Sequence, residues 1–257
     1  MISTLLKLVL CVGSLLSLLT TEALCQIYTE SVTSSAGGQK QSAQSYYMPQ
    51  MFKFVQDDGT SMIMRFDRDL WISADRKKKE FWQMTFAELE TKMKGMGAQR
   101  DSAMQQMQQQ LESMPPEQRK MVEQMMKKQM SGGGSGGKLE VRKGGPSRTI
   151  GGFSCARYAV TEDGKEVLVL WTAKDVREFA AMRGDYEKFA RIMAAMRGSQ
   201  AGSLGRAWTE AMKVIDGFPM ETESAGSKTT VTKLEKKSTP SGEFEPAAGS
   251  KRVPPPF

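Results

Sequence analysis

Residues 84–130 read MTFAELETKMKGMGAQRDSAMQQMQQQLESMPPEQRKMVEQMMKKQM and contain ten of the twenty methionines of the chain. Apolar residues recur here at positions i, i+3, i+7 and i+10, a spacing that puts side chains on one side of an α-helix. Amphipathic helices need an apolar surface to cover, and the flanking segments must supply it. Three quartets share this spacing: Phe86, Leu89, Met93 and Met96; Met104, Met107, Leu111 and Met114; and, farther along, Tyr186, Phe189, Met193 and Met196.

The segment before this stretch predicts an antiparallel meander. Short apolar runs alternate there with turn residues such as Asp-Asp-Gly, a pattern typical of strands joined by tight turns. In one run Met62, Met64 and Phe66 share a strand face, and Ile63 and Arg65 lie on the other. A sheet face of this kind can be covered by the methionine-rich helices.

The segment after it predicts strands and then helices. Residues 148–161 and 165–174 predict two strands joined by a turn at Gly164. The second of them is apolar on both faces, so we expect it at the centre of the sheet. Residues 175–197 predict a helix interrupted near Gly184, and a second helix and a final hairpin follow.

The N-terminal residues 1–25 predict a cleaved secretory signal peptide. Lys7 lies in a run of mostly Leu and Val, and small residues precede a cleavage between Cys25 and Gln26. Acylation of Cys25 is the alternative, but Leu24 is larger than the Gly or Ala that lipoprotein processing needs. We therefore expect a soluble periplasmic or secreted protein. No later apolar run approaches the roughly 20 residues of a transmembrane helix.

The remaining residues, 26–257, predict a single α+β domain. The methionine-rich helices form an insertion at residues 86–130, and the SGGGSGG run at 131–137 is a flexible linker. A tail rich in Pro and Gly is expected to be loose from about residue 246.

The composition disfavours catalysis and metal binding. The chain contains no histidine and no asparagine, and removal of the signal peptide leaves Cys155 as the only thiol, which we interpret as a small core residue. No segment supplies a nucleophile, a base and an orienting group together, so we expect no enzyme, no cofactor and no metal site. The aspartates that could suggest a carboxylate pair or a calcium site lie in separate turns, and we interpret them as turn formers: Asp57, Asp58, Asp67, Asp69 and Asp75.

The net charge of +7 is distributed over several short runs, including Arg76–Lys79 and Lys251-Arg252. We interpret these runs as solvated turns. The functional alternative is a weak attraction to an anionic membrane surface or to acidic ligands. A nucleic-acid partner is not expected, because no binding motif is present.

The methionines allow three interpretations. They can pack helices onto the sheet, they can also line an adaptable cavity for a hydrophobic ligand, or pairs such as Met93 with Met96 can bind Cu(I) through thioethers. Leu89 and Leu111 share the methionine faces, which packing explains and a thioether site does not. The four tryptophans are interpreted as core or cavity wall, with a stacking platform for a ring as the alternative.

The chain contains seven short motifs: Met62 to Trp82, Met114 to Arg119, Ile150 to Tyr158, Asp163 to Lys165, Trp171 to Lys174, Asp216 to Met220 and Phe244 to Gly249. In this order they resemble a family of exported bacterial proteins known as domain of unknown function 4412. That family is similar to the periplasmic LolA and LolB lipoprotein carriers. The resemblance implies an unclosed, curved antiparallel barrel whose concave face is covered by helices, and by analogy a hydrophobic cavity.

Together these observations predict a non-catalytic extracytoplasmic protein that binds or carries a lipid or a lipidated protein. The alternatives are an envelope protein with a structural or stress-response role, which contacts other proteins, and a Cu(I)-binding protein. The predicted ligand-lining residues are Met62, Met64, Phe66, Met104, Met107, Leu111 and Met193.

Overall fold

The structure is a computed structural model, and it describes residues 26–92, 95, 102, 106, 107, 137–197 and 202–256. The predicted signal peptide, most of the methionine-rich insertion and nearly all of the Gly/Ser linker lie outside the described residues. The helices are α1 (residues 86–92), α2 (Phe179–Arg197) and α3 (Gly202–Val214). The strands are β1 (Ile27–Ser35), β2 (Lys40–Met48), β3 (Met51–Gln56), β4 (Thr60–Arg65), β5 (Leu70–Asp75), β6 (Glu80–Thr85), β7 (Leu139–Lys143), β8 (Arg148–Ile150), β9 (Phe153–Glu162), β10 (Lys165–Ala173), β11 (Phe218–Ser224), β12 (Ser227–Lys236) and β13 (Lys251–Arg252).

The strands form one 13-stranded sheet in the order β13-β6-β5-β4-β3-β2-β1-β12-β11-β10-β9-β7, and β8 pairs with β9 beside this path. β13 runs parallel to β6, while the neighbouring pairs from β6 to β7 are antiparallel. Among the described strands the path ends at β13 and at β7, so the sheet is unclosed. The predicted antiparallel, unclosed sheet is confirmed.

The two faces of the meander differ as the alternation predicts. Phe52, Met64, Trp71 and Met84 are in register across β3 to β6 and define the inner face. They belong to the main hydrophobic core, whereas Ile63 belongs to a separate cluster on the outer face. Period-two patterning therefore placed these side chains correctly, because a strand sends successive residues to opposite faces.

The helices lie on the inner face. α1 begins with a capping box, in which the Thr85 amide donates to Glu88 Oε2 at 2.7 Å and the Glu88 amide donates to Thr85 Oγ1 at 3.1 Å. α2 and α3 pack against each other and bury their apolar stripes in the main core. The cover predicted from the other methionine-rich helices lies largely outside the described residues. Within the described part of the chain, no helix combines the length and apolarity needed to cross a membrane.

Three local predictions differ from the structure. β10 is third from the β7 end of the sheet rather than central, and its two apolar faces arise because both sides are covered. The strand predicted at residues 148–161 is divided at Gly151 and Gly152, whose φ angles of 56° and 85° suit glycine. α2 continues through Gly184 without interruption, because burial of its stripe outweighs the low helix propensity of one glycine.

Residues 237–253 cross the outer face from β1 to β6, and we call this segment the strap. Near its start, the side-chain amide of Gln26 donates to the carbonyl oxygen of Thr239 at 2.8 Å. In its middle, the ring of Phe244 is fully buried. The ring packs on three outer-face side chains, Met48, Ile63 and Ile72.

Ion pairs also hold the strap to the sheet. Lys53 Nζ lies 2.6 Å from Glu243 Oε1. Glu245 pairs with the guanidinium of Arg65, which is buried and also binds Asp67 at 2.7 Å. The hydrogen bonds from Arg65 lower the pKa of the Asp67 carboxyl, so this carboxylate stays charged beside the guanidinium.

The sequence predicts a loose tail from about residue 246, and the structure differs. Lys251–Arg252 forms β13 beside β6, and the Val253 amide donates to the carbonyl oxygen of Phe81 at 2.8 Å. A two-residue strand carries no periodicity that sequence analysis can detect, and the surrounding Gly and Pro are typical of loops.

Candidate functional site

The candidate site is a row of half-buried apolar side chains where α1 and α2 meet the inner face of the sheet. We call this row the apolar seam. Its members are Phe54, Met62, Phe66, Phe86, Phe189 and Met193, all of which pack on the main core while remaining partly exposed.

Ring contacts connect the two sides of the seam. Phe54 on β3 stacks on Phe189 of α2, with ring centroids 5.4 Å apart and planes 20° apart. Phe66, which follows β4, contacts Phe86 of α1 at 5.6 Å. Phe52 lies beneath both pairs, 5.3 Å from Phe66 and 6.3 Å from Phe189. The seam is therefore a continuous apolar surface shared by sheet and helices.

Two buried tyrosines lie deeper along the same interface. The rings of Tyr47 on β2 and Tyr186 on α2 stack at 5.5 Å, and both contact Phe218. Burial raises the pKa of Tyr47, and burial raises the pKa of Tyr186 well above its ordinary value. Both hydroxyls therefore remain neutral, and the Tyr47 hydroxyl interacts with the side chains of Tyr186 and of the buried residues Ser45 and Thr29.

The structure brings four of the predicted ligand-lining residues into one cluster. Met62, Phe66 and Met193 are half-buried members of the seam, whereas Met64 is fully buried and packs beneath it. Met107 is 41% exposed. The remaining predicted residues, Met104 and Leu111, lie outside the described part of the chain. A ligand-lining role for the set remains a prediction.

Sequence reasoning did not select Phe54, Phe86 and Phe189 as site residues. Phe54 lies two residues after Phe52 on a strand, and Phe189 lies three residues after Tyr186 on a helix, so the sequence predicts the face on which each one lies. The sequence does not predict the stacking of Phe54 on Phe189, because this contact depends on how two elements that are distant in the chain pack together.

The other candidate groups have structural roles. Asp58 Oδ1 accepts from the Thr60 hydroxyl at 2.6 Å and from the Thr60 amide at 2.7 Å, and these hydrogen bonds lower the pKa of Asp58. Asp75 Oδ1 accepts from the Lys77 amide at 2.9 Å. Both aspartates are turn formers, as predicted. Cys155 is fully buried, and burial raises the pKa of its thiol. Among the described residues, no three carboxylates or thiols are grouped to hold a metal ion.

Trp171 is not an open stacking platform. The guanidinium of Arg148 covers its ring at 3.9 Å from the centroid. The same guanidinium pairs with Glu221, a buried carboxylate that also binds Lys228 at 3.0 Å and accepts from the Thr230 hydroxyl at 2.8 Å. This cluster fixes the segment around Arg148 on the outer face of the sheet.

The fold and the seam define an α+β protein whose open antiparallel sheet has one apolar face partly covered by helices. Residues 82–250 match the family described as Domain of unknown function (DUF4412). The match covers more than half of the chain, so the protein belongs to this family, as its motifs indicate. No curated protein matches the sequence.

Solved structures show weak similarity. An uncharacterized conserved protein from Thermus thermophilus has 6% identity and a TM-score of 0.44, with 90% of each chain covered. A chain of the Pseudomonas aeruginosa MucA/MucB complex has 10% identity and a TM-score of 0.42, with 89% of this chain and 58% of that chain covered. A further MucB structure has 9% identity and a TM-score of 0.40, covering 90% and 60%. At these TM-scores the similarity carries no argument about shared function.

Proposed function

We propose that this protein is a non-catalytic extracytoplasmic binding protein that holds or carries a hydrophobic ligand, a lipid or a lipidated protein, in the apolar seam. The observation that carries the proposal is the half-burial of the seam. Its side chains are organised by the core beneath them, yet part of each remains accessible to a ligand.

The chemistry of the seam suits an acyl chain. Phenylalanine rings provide large apolar surfaces, and the unbranched methionines adapt to ligands of varied shape. Burying apolar surface contributes roughly 25 cal/mol per Å², or about 0.8 kcal/mol for each methylene group. An acyl chain lying along the seam can therefore bind tightly without any charged contact.

Two sequence features agree with this role. The N-terminal segment predicts export, which would place the protein where envelope lipids are found. The resemblance of the family to the LolA and LolB carriers points to the same class of ligand. Binding of this kind needs no nucleophile or base, and the buried Cys155 thiol with its raised pKa is not used.

We expect Met193→Glu to weaken binding of a fluorescently labelled phospholipid at least about tenfold, because a carboxylate in the seam would lose hydration when the acyl chain binds. Met62→Glu, on the opposite wall of the seam, should have the same effect. The measurement is a fluorescence titration of each purified protein.

Arg191→Glu is the matched control, since Arg191 is exposed on the same helix two residues before Met193. It should bind the phospholipid like the unmodified protein. Circular dichroism identifies the folded fraction of each variant. Normal phospholipid binding by folded Met193→Glu and Met62→Glu would contradict a ligand site at the seam.

A further inference from the structure

Two basic runs that are far apart in the sequence meet in the fold. The turn between β5 and β6 carries Arg76–Lys79, and β13 carries Lys251 and Arg252. β13 pairs with β6, and the Lys251 amide donates to the carbonyl oxygen of Lys79 at 2.9 Å. All six cationic residues are exposed. We call this group the basic corner.

The basic corner has an excess of positive charge. Its two segments, residues 75–80 and 251–252, contain six cationic and two acidic residues, a formal charge of +6 − 2 = +4. Asp75 Oδ2 lies 3.5 Å from Lys78 Nζ, and Asp75 Oδ1 accepts hydrogen bonds from the backbone amides of Lys77 and Lys78. At the margin, the Asp58 carboxylate interacts with Lys77 and the Glu88 carboxylate interacts with Arg252, so these two groups reduce the excess of positive charge without removing it.

Apolar residues adjoin the basic corner. Val253 and Pro254–Pro256 follow β13 directly, and Pro254 and Pro256 are exposed. Lysine and arginine beside small apolar groups suit the interface of an anionic bilayer, where each cation is attracted by the surface potential and apolar groups enter the headgroup region.

The position of the basic corner relates it to the seam. β6 starts at the corner with Glu80 and leads into α1, whose first residue, Phe86, belongs to the seam. A strand of this length spans roughly 20 Å. Contact with a bilayer at the corner would therefore bring the seam within a short distance of the lipid surface.

We propose that the basic corner docks this protein on an anionic lipid bilayer. This proposal adds membrane docking to the proposed carrier function. It rests on that function, because the carrier role is what requires the protein to reach a membrane. The long, flexible lysine and arginine side chains of the corner suit a surface with a high density of negative charge rather than a partner of defined shape. The adjoining Val253–Pro256 segment adds apolar contact. These features favour a bilayer over an acidic protein, which would be held by paired contacts in a shaped interface.

The test is flotation of the protein, produced with its N-terminal segment and processed by the cell, with vesicles of phosphatidylglycerol and phosphatidylcholine. Binding should weaken as salt rises. A variant with Lys77→Gln, Lys78→Gln, Lys79→Gln, Lys251→Gln and Arg252→Gln should bind at least about tenfold more weakly. The control variant removes five exposed cations elsewhere: Lys40→Gln, Lys138→Gln, Arg142→Gln, Lys165→Gln and Arg177→Gln.

The proposal is overturned if the corner variant floats as well as the control. Equal flotation of the unmodified protein with pure phosphatidylcholine vesicles would overturn it too. Binding to polyglutamate without binding to vesicles would replace the bilayer with an acidic protein. Phospholipid titration separates the two proposals. If the corner variant no longer floats but binds phospholipid normally, both proposals are supported. If the unmodified protein floats but binds no phospholipid in the titration, the docking proposal stands and the carrier function is rejected.

Discussion

Replacing Phe244 with alanine is expected to lower the free energy of unfolding by about 3–5 kcal/mol, the usual cost of removing a buried phenylalanine ring. Phe244 is fully buried, and it joins the strap to the outer face of the sheet. Its removal leaves a cavity that the β-strands below cannot fill, because their backbones are fixed by pairing on both sides. The measurement is urea denaturation followed by circular dichroism.

Ser241→Ala is the control for this prediction, since Ser241 is exposed on the same short 3-10 helix. It should change the free energy of unfolding by less than about 0.5 kcal/mol. Hydrogen exchange adds a local readout: the Val253 amide, which is bonded to β6, should exchange faster in Phe244→Ala. A loss below about 1 kcal/mol would show that the ring does not fix the strap.

Gly217→Ala is expected to destabilise the protein by about 2–3 kcal/mol, at the upper end of the range for overpacking. A Cβ atom at Gly217 would lie 2.5 Å from the carbonyl carbon and 2.6 Å from the carbonyl oxygen of Ala173. These are backbone atoms of β10, so they cannot rotate away. The preceding residue, Asp216, is held by the Tyr158 hydroxyl at 2.5 Å and by Lys143 at 3.1 Å, which limits movement of the Gly217 segment.

Gly184→Ala is the matched control for this glycine. Gly184 is exposed within α2, and a Cβ atom there would meet nothing within 4 Å. Alanine at this position should stabilise the protein by about 0.5–1 kcal/mol, because it restricts the unfolded chain and favours the helix. Equal stability of the two variants in thermal denaturation would contradict the close approach of Gly217 to β10.

The sequence predicts the local elements well where a single period dominates. The alternation of Met62 and Met64 with Ile63 places these side chains on the correct faces of β4. Turn chemistry at Gly164 also identifies the β9–β10 hairpin, where φ is 81°. Each of these features depends on neighbours within a few residues.

The sequence does not predict features that depend on long-range docking. The strap is one of them, because Phe244 reaches Ile63 and Ile72 only through the crossing of residues 237–253 over the sheet. The apolar residues on both faces of residues 165–174 predict a central strand, but the segment around Arg148 and the helices cover the two faces of β10 although it lies off-centre.

The seam also combines residues that local patterns predict with contacts that depend on long-range packing. Strand and helix periodicity predicts Met62, Phe66 and Met193 as ligand-lining residues, and these three side chains share one cluster. The pairing of Phe54 with Phe189 joins residues on elements far apart in the chain, so local patterns contain no information about it. The basic corner likewise arises from the parallel pairing of β13 with β6, which joins two basic runs that are far apart in the sequence.

If the apolar seam holds a hydrophobic ligand, the protein should leave exporting cells with that ligand bound, and native mass spectrometry detects it. The protein is purified from exporting cells without detergent and measured before and after extraction with organic solvent. We predict additional mass that matches a lipid and disappears on extraction. A protein mass without any bound lipid, in preparations where an established lipid carrier retains its ligand, would contradict ligand binding at the seam.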